Sequence, residues 1–283
     1  MDLIKSPMNY IGNKYRILPQ IQKWFPDEID TMVDIFSGGG DVVINTKANK
    51  KIANDINFYV IQIFQEFQKH TEEYILSYID DTINKWQLSK TNKKGYENFR
   101  DYYNANPNPL DLYVLMCYSF NYQFRFNAKH EYNNPFGKYR SSFNKKMREN
   151  LKQLLKKLDN IEFMSKDFVE FDYDDLGEGD FVYADPPYLI TCGSYNDGKR
   201  GFKGWGQEDD QKLFEILDAL DSKGVKFALS NVTEHKGKKN ENMIRWKNDR
   251  GYHMHKVLFN YNNCNYHTNS KEYKTVEVLI TNY

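Results

Sequence analysis

The chain has 283 residues, which suits one large domain or a domain with a sizeable insertion. Its 39 basic and 39 acidic residues balance, so overall charge indicates no polyanionic partner, although local charge still can. No run of about 18 apolar residues occurs, the N-terminus lacks a continuous apolar run, and the three cysteines lie far apart. These features predict no membrane span, signal peptide, zinc site or disulfide framework, as in a reducing cytoplasm.

Short apolar runs alternate with stretches of helical periodicity along most of the chain. The apolar runs predict strands at 31–36, 51–54, 161–165, 180–184 and 226–231. Apolar residues at helical spacing predict helices at 57–69, 143–158 and 209–220. This alternation is typical of an α/β fold with a doubly wound, mainly parallel sheet. Two final runs, 253–260 and 275–281, predict an antiparallel hairpin at the sheet edge.

The region between residues 70 and 140 interrupts this rhythm. It contains three predicted helices and then a segment rich in Phe, Asn and Tyr, NYQFRFNAKHEYNNPFGKYR. The helices are predicted at 71–87, 94–104 and 109–120. We interpret 57–157 as an inserted, mostly helical domain, and 1–56 with 158–283 as the domain that carries the sheet.

Glycines follow the first predicted strand in the segment DIFSGGG, residues 34–40. Glycine permits positive φ and close approach of the backbone to a ligand. Asp55, at the end of the next strand, is placed to bind the ribose hydroxyls of a nucleoside. The spacing does not match GxGxxG, so a nucleoside without phosphates fits better than a dinucleotide. Taken alone, the glycine run is also compatible with a plain tight turn.

The segment GDFVYADPPYLI, residues 179–190, ends an apolar strand on a carboxylate, two prolines and an aromatic ring. Open α/β sheets bind ligands at the carboxyl ends of their strands, which is where Asp185 and Tyr188 fall. Proline restricts φ and would hold polar groups in place without reorganisation. The alternative interpretation is a rigid turn with Asp185 as a helix cap and Tyr188 in the core.

These residues resemble the Dam-like, D12-type (class alpha) DNA adenine-N6 methyltransferase family, in particular its phage-type members. The resemblance lies in NYIGNK near the N-terminus, FSGGG after the first strand, and DPPY last, in the family's order. PFGKY (135–139) is similar to the family's target-recognition hairpin, and LSNVTEH (229–235) and KTVEVLITNY (274–283) to its later strands. Most of the chain is covered.

The resemblance implies S-adenosyl-L-methionine as cofactor and a Rossmann-like, seven-stranded methyltransferase sheet whose last hairpin is reversed. It implies a target-recognition role for the insertion. Cofactor-binding positions carried over from the family are Tyr10, Gly12, Lys14, Phe36, Gly38, Gly40, Asp55, Asp167, Phe168 and Asp185.

The same resemblance implies catalytic roles for Asp185, Pro186, Pro187 and Tyr188. The exocyclic nitrogen of adenine is a poor nucleophile because its lone pair is delocalised into the ring. Asp185 and the carbonyl of Pro186 would each accept one of its N–H bonds and favour a tetrahedral nitrogen, and Asp185 would take the departing proton. Tyr188 would stack on a base that has left the duplex.

Basic and polar residues of the insertion are the predicted contacts to double-stranded DNA. Residues 138–157 carry a net charge of +7, with eight basic residues and one acidic residue. This indicates a phosphate-contacting edge, although a solvated helix face is equally compatible for the later lysines. The resemblance implies a base-reading arginine and GATC as the leading target sequence. The predicted DNA-binding residues are Arg125, Asn127, Pro135, Lys138, Tyr139 and Arg140.

Rival interpretations remain open at this point. An N4-cytosine or RNA adenine methyltransferase is the nearest, and a catalytically silent DNA-binding protein that retains the cofactor is another. His235, His253 and His255 lack a third ligand at sensible spacing, so no metal is expected. Ser230 and Asn231 are weaker candidates for the pocket lining, and Cys192 is expected near the site. We expect cytoplasmic localisation in a bacterial or phage-infected cell, with no obligatory protein partner.

Overall fold

A mainly parallel sheet organises the chain in the computed structural model, which describes residues 3–191, 204–258 and 275–283. Its strands are Thr31–Asp34 (β1), Lys50–Asn54 (β2), Ile161–Met164 (β3), Phe181–Ala184 (β4), Lys226–His235 (β5), Lys238–Lys239 (β6), His253–Val257 (β7) and Thr275–Thr281 (β8). The helices of the described residues are Leu18–Gln22 (α1), Asp41–Asn45 (α2), Phe58–Lys69 (α3), Glu72–Lys85 (α4), Lys93–Ala105 (α5), Pro109–Tyr118 (α6), Lys145–Leu155 (α7), Gln207–Ser222 (α8) and Glu241–Arg250 (α9).

The strand order is β3-β2-β1-β4-β5-β8-β7, with β6 paired to β5 off this path. The five strands from β3 to β5 run parallel, and β8 and β7 pair antiparallel beyond them. The doubly wound α/β fold and the reversed hairpin are therefore confirmed. No helix within the described ranges is long and apolar enough to cross a membrane.

Strand β5 differs from its prediction, because it continues to His235 rather than ending at residue 231. Its second half is hydrogen-bonded to β8 on one edge and to the short strand β6 on the other. Strand β8 lies about 40 residues away in the sequence, and β6 follows across a tight turn. Hydrogen bonds to these partners make the polar second half of β5 a strand, although it has no apolar pattern. Strand β1 also differs from its prediction, because it ends at Asp34, two residues earlier.

Alternating side chains of the strands supply two apolar cores. In β1, Met32 belongs to the core on one face of the sheet and Val33 to the core on the other; Phe181 and Val182 divide in the same way in β4. Successive residues of a strand point to opposite faces, and parallel sheets are covered on both. Because both faces are buried, the parallel strands read as continuous apolar runs in the sequence.

Helix α6 lies at the centre of the helices between β2 and β3. Every residue from Leu110 to Tyr118 is buried, as expected for a largely apolar helix, and the one carboxylate among them, Asp111, accepts a hydrogen bond from the Tyr78 hydroxyl. Asn108 caps it by accepting hydrogen bonds from the backbone N–H groups of Leu110 and Asp111. The core around α6 is continuous with the sheet residue Phe181. Division of the chain at 57 and 157 stays a prediction.

Candidate active site

The carboxyl ends of β1, β2, β3 and β4 meet at one edge of the sheet, around a cavity of about 270 Å³. The loop before α1 covers the same cavity, and Phe124 reaches it from the helical region. Of the residues predicted at the cofactor and the catalytic motif, the cavity brings together Tyr10, Gly12, Lys14, Phe36, Gly38, Asp55, Asp167, Phe168, Asp185, Pro186, Pro187 and Tyr188.

Gly40 is the exception, since it lies behind the cavity wall rather than in it. It adopts a left-handed conformation with φ of 78° at the start of α2. A Cβ atom there would come within 2.9 Å of Ile44 and 3.1 Å of Phe64. The geometry therefore explains Gly40 by a tight turn and close packing rather than by direct contact with a ligand.

Asp185 immediately follows β4, and both of its carboxylate oxygens have partners. The Lys14 ammonium lies 2.6 Å from Oδ2, and the Tyr188 hydroxyl donates a hydrogen bond of 2.9 Å to Oδ1. Lys14 also donates to the carbonyl of Gly12 and sits 5.3 Å from the centre of the Tyr188 ring. Burial raises the pKa of Asp185, while Lys14 and Tyr188 lower it. The carboxylate is thus held in one orientation at the cavity wall.

Tyr10 packs beneath the glycine turn that follows β1. A Cβ atom added to Gly38 would lie 2.7 Å from the Tyr10 ring, and Gly38 has a φ of 48°. The Tyr10 hydroxyl accepts a hydrogen bond of 3.3 Å from the side chain of Asn57. Only glycine combines this backbone conformation with so close a contact, which explains the residue type at this position.

Asp55 joins the end of β2 to the same glycine turn. Its Oδ2 accepts a hydrogen bond of 2.8 Å from the N–H of Gly38, and its Oδ1 accepts one of 2.8 Å from the N–H of Asn57. Burial raises the pKa of Asp55, and these two backbone donors oppose the rise. Each oxygen has two lone pairs, so Asp55 retains acceptor capacity towards the cavity.

Three aromatic side chains form one wall of the cavity. The ring centres of Phe36 and Phe168 are 5.4 Å apart, and Trp205 lies 5.5 Å from the first and 5.3 Å from the second. The indole N–H of Trp205 donates a hydrogen bond of 2.6 Å to Asp210 in α8. Sequence reasoning missed Trp205; the start of α8, capped by Asp209, was the one signal near it.

Buried polar atoms without a partner line the same cavity: among the described residues these include Asp34 Oδ1, Ser37 Oγ and Asn57 Oδ1. Burial, reinforced by Asp185 and Asp55, raises the pKa of Asp34 well above its ordinary value. Unpaired buried groups are destabilising, so a ligand that hydrogen-bonds to them is favoured. An aromatic wall, a fixed carboxylate and these atoms suit a nucleoside with a charged, hydrogen-bonding tail, as S-adenosyl-L-methionine is.

Comparison with known proteins identifies the family. Residues 10–264 match the model of the D12 class N6 adenine-specific DNA methyltransferases. The chain belongs to this family. It is 50% identical over 282 residues to type II methyltransferase M.FokI of Planomicrobium okeanokoites and 51% identical over 282 residues to modification methylase StsI of Streptococcus sanguinis. Both alignments cover 99% of this chain and 43% of the relative, so the chain spans less than half the length of these relatives.

A DNA adenine methylase of Escherichia coli K12 is 25% identical over 231 residues, which are 79% of each chain. Among solved structures, precorrin-6y C5,15-methyltransferase from Geobacter metallireducens aligns with 98% of this chain and 92% of its own at 14% identity. Its TM-score of 0.39 is too low to support a conclusion.

The predicted DNA-reading residues of this D12-class chain lie outside the cavity, on the segment after α6. Arg125 is exposed beside Phe124, which lines the cavity. The Asn127 side chain accepts hydrogen bonds from the N–H groups of Lys129 and Glu131 and donates one to the Glu131 carboxylate. These bonds make Asn127 the organiser of a loop, and its contact to DNA stays a prediction.

The PFGKY segment is a tight, exposed turn. Pro135, Lys138, Tyr139 and Arg140 are exposed, and Tyr139 has a φ of 61°. A Cβ atom on Gly137 would come within 2.7 Å of the Ser119 carbonyl oxygen. The turn therefore presents Lys138, Tyr139 and Arg140 outward, while Phe136 packs against Tyr96 in the core.

Part of the predicted phosphate-contacting edge is occupied within the protein. Arg148 and Lys152 of α7 form ion pairs with Asp80 and Glu72 of α4. Pairs this exposed add little stability, but they partly neutralise both cations. The alternative of a solvated helix face therefore fits these two cations better than a phosphate contact does.

The weaker candidates lie elsewhere. Ser230 hydrogen-bonds to the Tyr183 hydroxyl at 2.7 Å and does not reach the cavity, and neither does Asn231. His235 and His255 are hydrogen-bonded to threonines, and no cluster of metal ligands occurs among the described residues. Cys192 lies outside the described residues.

Proposed function

We propose that this chain transfers a methyl group from S-adenosyl-L-methionine to N6 of an adenine in double-stranded DNA. One observation carries the proposal: the Asp185–Tyr188 motif at the end of β4 faces the cavity that Asp55, Gly38 and the aromatic wall build. Membership of the family supports it, as does similarity to a modification methylase and to a DNA adenine methylase. One active site per chain is enough for the chemistry, and we propose no obligatory protein partner.

Asp185 and the Pro186 carbonyl are the proposed acceptors for the two N–H bonds of the target amino group. Asp185 is already bonded to Lys14 and Tyr188, but each carboxylate oxygen has a second lone pair for the base. Two acceptors held out of the plane of the base favour a tetrahedral nitrogen with a localised lone pair. The proline restricts φ, so these acceptors do not reorganise as charge develops.

Asp185 is also the proposed acceptor for the proton that leaves the methylated nitrogen. Burial raises the pKa of this carboxyl, which brings it closer to that of a useful base at neutral pH. Lys14 limits the rise and so favours the ionised form of the carboxyl before reaction. Lys14 and burial therefore act on Asp185 in opposite directions: Lys14 favours the ionised carboxylate, and burial raises its affinity for a proton.

The cofactor residues divide by the part of the ligand that they suit. Phe36, Phe168 and Trp205 suit a flat adenine, and Asp55 suits ribose hydroxyls. Tyr10 and Gly38 shape the turn beside the tail, and Asp167 lines the cavity next to the aromatic wall. When bound, the cofactor supplies an electrophilic methyl group on a positively charged sulfur.

Tyr188 is the proposed stacking platform for a base flipped out of the duplex. Its hydroxyl is tied to Asp185, which sets the orientation of the ring. Extrusion of a base costs a few kcal/mol, and stacking on an aromatic ring returns about 1–3 kcal/mol. The motif thus supports binding of the base as well as its chemistry.

We propose a short target site that is read by Arg125 and the exposed PFGKY turn. An arginine can bind guanine bidentately in the major groove. GATC is the first sequence to test, because the resemblance to Dam-like enzymes implies it. A role in restriction–modification is consistent with the names of the more similar relatives, and the reaction would take place in the cytoplasm.

Incubation with tritiated cofactor and unmethylated duplex DNA tests the function. Digestion and separation of nucleosides should yield labelled N6-methyladenine, and sequencing of modified bases in DNA from expressing cells should reveal the site. Label in N4-methylcytosine, or a preference for RNA in competition, would replace the proposal with a rival. Retention of cofactor with no transfer at several salt concentrations would favour the silent DNA-binding protein.

A further inference from the structure

A basic hairpin rises beyond the edge of the sheet that carries the active site. Strand β4 ends in register with Leu229 of β5, yet β5 continues to His235. At about 3.3 Å per residue, the pairing of Glu234 with Lys239, five residues past Leu229, lies about 16 Å beyond the end of β4. The hairpin tip carries Lys236, Lys238 and Lys239, all exposed.

The topology decides which side of β5 the hairpin occupies. At Glu234 and His235, β8 pairs with one edge of β5, so β6 pairs with the other edge. That edge is the one that β4 occupies further down the strand. Strand β6 therefore extends the line of β4, and Lys238 and Lys239 lie beyond the segment that begins with Asp185.

The hairpin is firmly fixed at its base. The Asn240 N–H donates to the Thr233 carbonyl at 3.0 Å, and His235 Nδ1 lies 2.9 Å from the Thr275 hydroxyl. The turn residues Lys236 and Gly237 have φ of 50° and 77°, as a two-residue type I′ turn requires. Asparagine or glycine suits the first turn position better than lysine does, so the turn geometry alone does not explain Lys236.

Charge in this region is concentrated at the tip. None of the three ammonium groups forms an ion pair with a residue in the described ranges. Glu234 is half-buried on β5, and Glu241 lies in the first turn of α9, where the helix dipole favours it. Three exposed cations within four residues, in a chain of zero net charge, give the tip a local excess of positive charge that Glu234, the pairing partner of Lys239, offsets only in part.

We propose that the hairpin of His235–Lys239 binds the phosphate backbone of the target DNA beside the flipped nucleotide. The inference rests on the proposed function, which places duplex DNA over this edge of the sheet. When a flipped base occupies the site at Asp185, the DNA strand that carries it lies above the cavity, at the height that the hairpin reaches. Lysines contact phosphates as point charges and read no sequence, so the hairpin contributes affinity and register rather than specificity.

Binding of a fluorescent duplex at several salt concentrations tests the proposal with three triple variants. K236A/K238A/K239A should weaken affinity at least about tenfold near 0.1 M salt and reduce the salt slope by about 2–3. K236R/K238R/K239R retains the charges and should bind as wild type does. K47A/K50A/K226A removes three exposed lysines near the start of β2 and β5, at the opposite edge, and should change affinity little.

Cofactor affinity and thermal unfolding of the hairpin variant should match wild type, which separates loss of a DNA contact from loss of fold. Equal effects of the two alanine triples, or an unchanged salt slope, would overturn the hairpin proposal while methyl transfer by wild type still upheld the function. If wild type neither binds duplex DNA nor transfers methyl groups, the proposed function fails, and the role of the hairpin fails with it.

Discussion

The ammonium of Lys14 lies 2.6 Å from Oδ2 of Asp185, and so joins the N-terminal loop to the strand end that carries the motif. The two residues are far apart in sequence, and both are largely buried at the contact, with side-chain exposures of 7% and 16%. An opposite charge at this distance favours the ionised carboxylate against the effect of burial. The position of the N-terminal loop therefore influences the protonation state of the proposed base.

Replacement of Lys14 tests that coupling. In Lys14→Gln the pKa of Asp185 should rise, because burial remains and the opposing cation is gone. The base is active when ionised, so the acid limb of the pH–rate profile should move to higher pH, with a loss of about 10²-fold at neutral pH. Lys14→Arg retains the charge and should keep the limb near its wild-type position. If the acid limb of the pH–rate profile of Lys14→Gln stayed at its wild-type position, Lys14 would have no influence on the ionisation of Asp185.

Removal of the carboxylate should abolish the chemistry and spare the cofactor. Asp185→Ala and Asp185→Asn should each reduce single-turnover transfer by about 10²–10⁴-fold, while calorimetry gives a cofactor affinity within a few-fold of wild type. The asparagine variant preserves shape, and so controls for the unpaired Lys14 that alanine leaves. Wild-type rates in either variant would remove the mechanism proposed for Asp185.

The glycine turn should tolerate no side chain. Gly38→Ala places a Cβ atom 2.7 Å from the Tyr10 ring at a φ of 48°, so it should lower the free energy of unfolding by about 1–3 kcal/mol and weaken cofactor binding. Gly177→Ala is the matched control, because a Cβ atom there meets nothing within 4 Å. Denaturant unfolding and cofactor titration measure both effects. If Gly38→Ala and Gly177→Ala changed stability and cofactor affinity equally, the contact between Gly38 and Tyr10 would not shape the cofactor site.

Arg125 should determine discrimination rather than overall affinity. Arg125→Ala should reduce the preference for the cognate duplex over a one-base-pair variant by about 1–3 kcal/mol. Lys129→Ala removes another exposed cation from the same loop and should weaken both duplexes similarly. Competition binding with the two duplexes gives the ratio directly, and an unchanged preference in Arg125→Ala would assign base reading to another residue.

Asp210 should make stability depend on pH. Burial raises its pKa from the ordinary 3.8 to about 6. Because the folded-state pKa is the higher one, the stabilisation from this carboxyl is fully present below about pH 4 and is lost as pH rises through 6. Asp210→Asn does not titrate, so its stability relative to wild type should improve by up to about 3 kcal/mol between pH 4 and pH 7.

Denaturant unfolding across that range measures the difference, with Glu215→Gln, an exposed change on the same helix, as control. Tryptophan emission should report any movement of Trp205, whose indole is bonded to Asp210. If the difference in stability between wild type and Asp210→Asn stayed constant from pH 4 to pH 7, the pKa of Asp210 would not be raised in the folded protein.

Much of the fold follows from local patterns. The apolar runs at 31–36 and 180–184 predict buried parallel strands, because both faces of such strands are covered. The helices at 72–85 and 109–118 begin at Thr71 and Asn108, whose side chains accept backbone hydrogen bonds. Strand β6 was missed, and the apolar run ended β5 at residue 231, since the hydrogen bonds beyond that point depend on distant partners rather than on local propensity. Only the resemblance of 229–235 to a later strand of the family extended β5 to its observed end.

The sequence by itself determined where most of the strands lie along the chain, the glycine turn and the Asp185–Tyr188 motif, because each depends on residues within a few positions. Only the tertiary structure decided that Lys14 meets Asp185, that Trp205 completes the aromatic wall, and that Arg148 pairs with Asp80. It also decided that the lysines of β6 extend beyond β4. Such contacts join residues that are distant in sequence. The type of a charged or aromatic residue therefore does not indicate which neighbour it has in the folded chain.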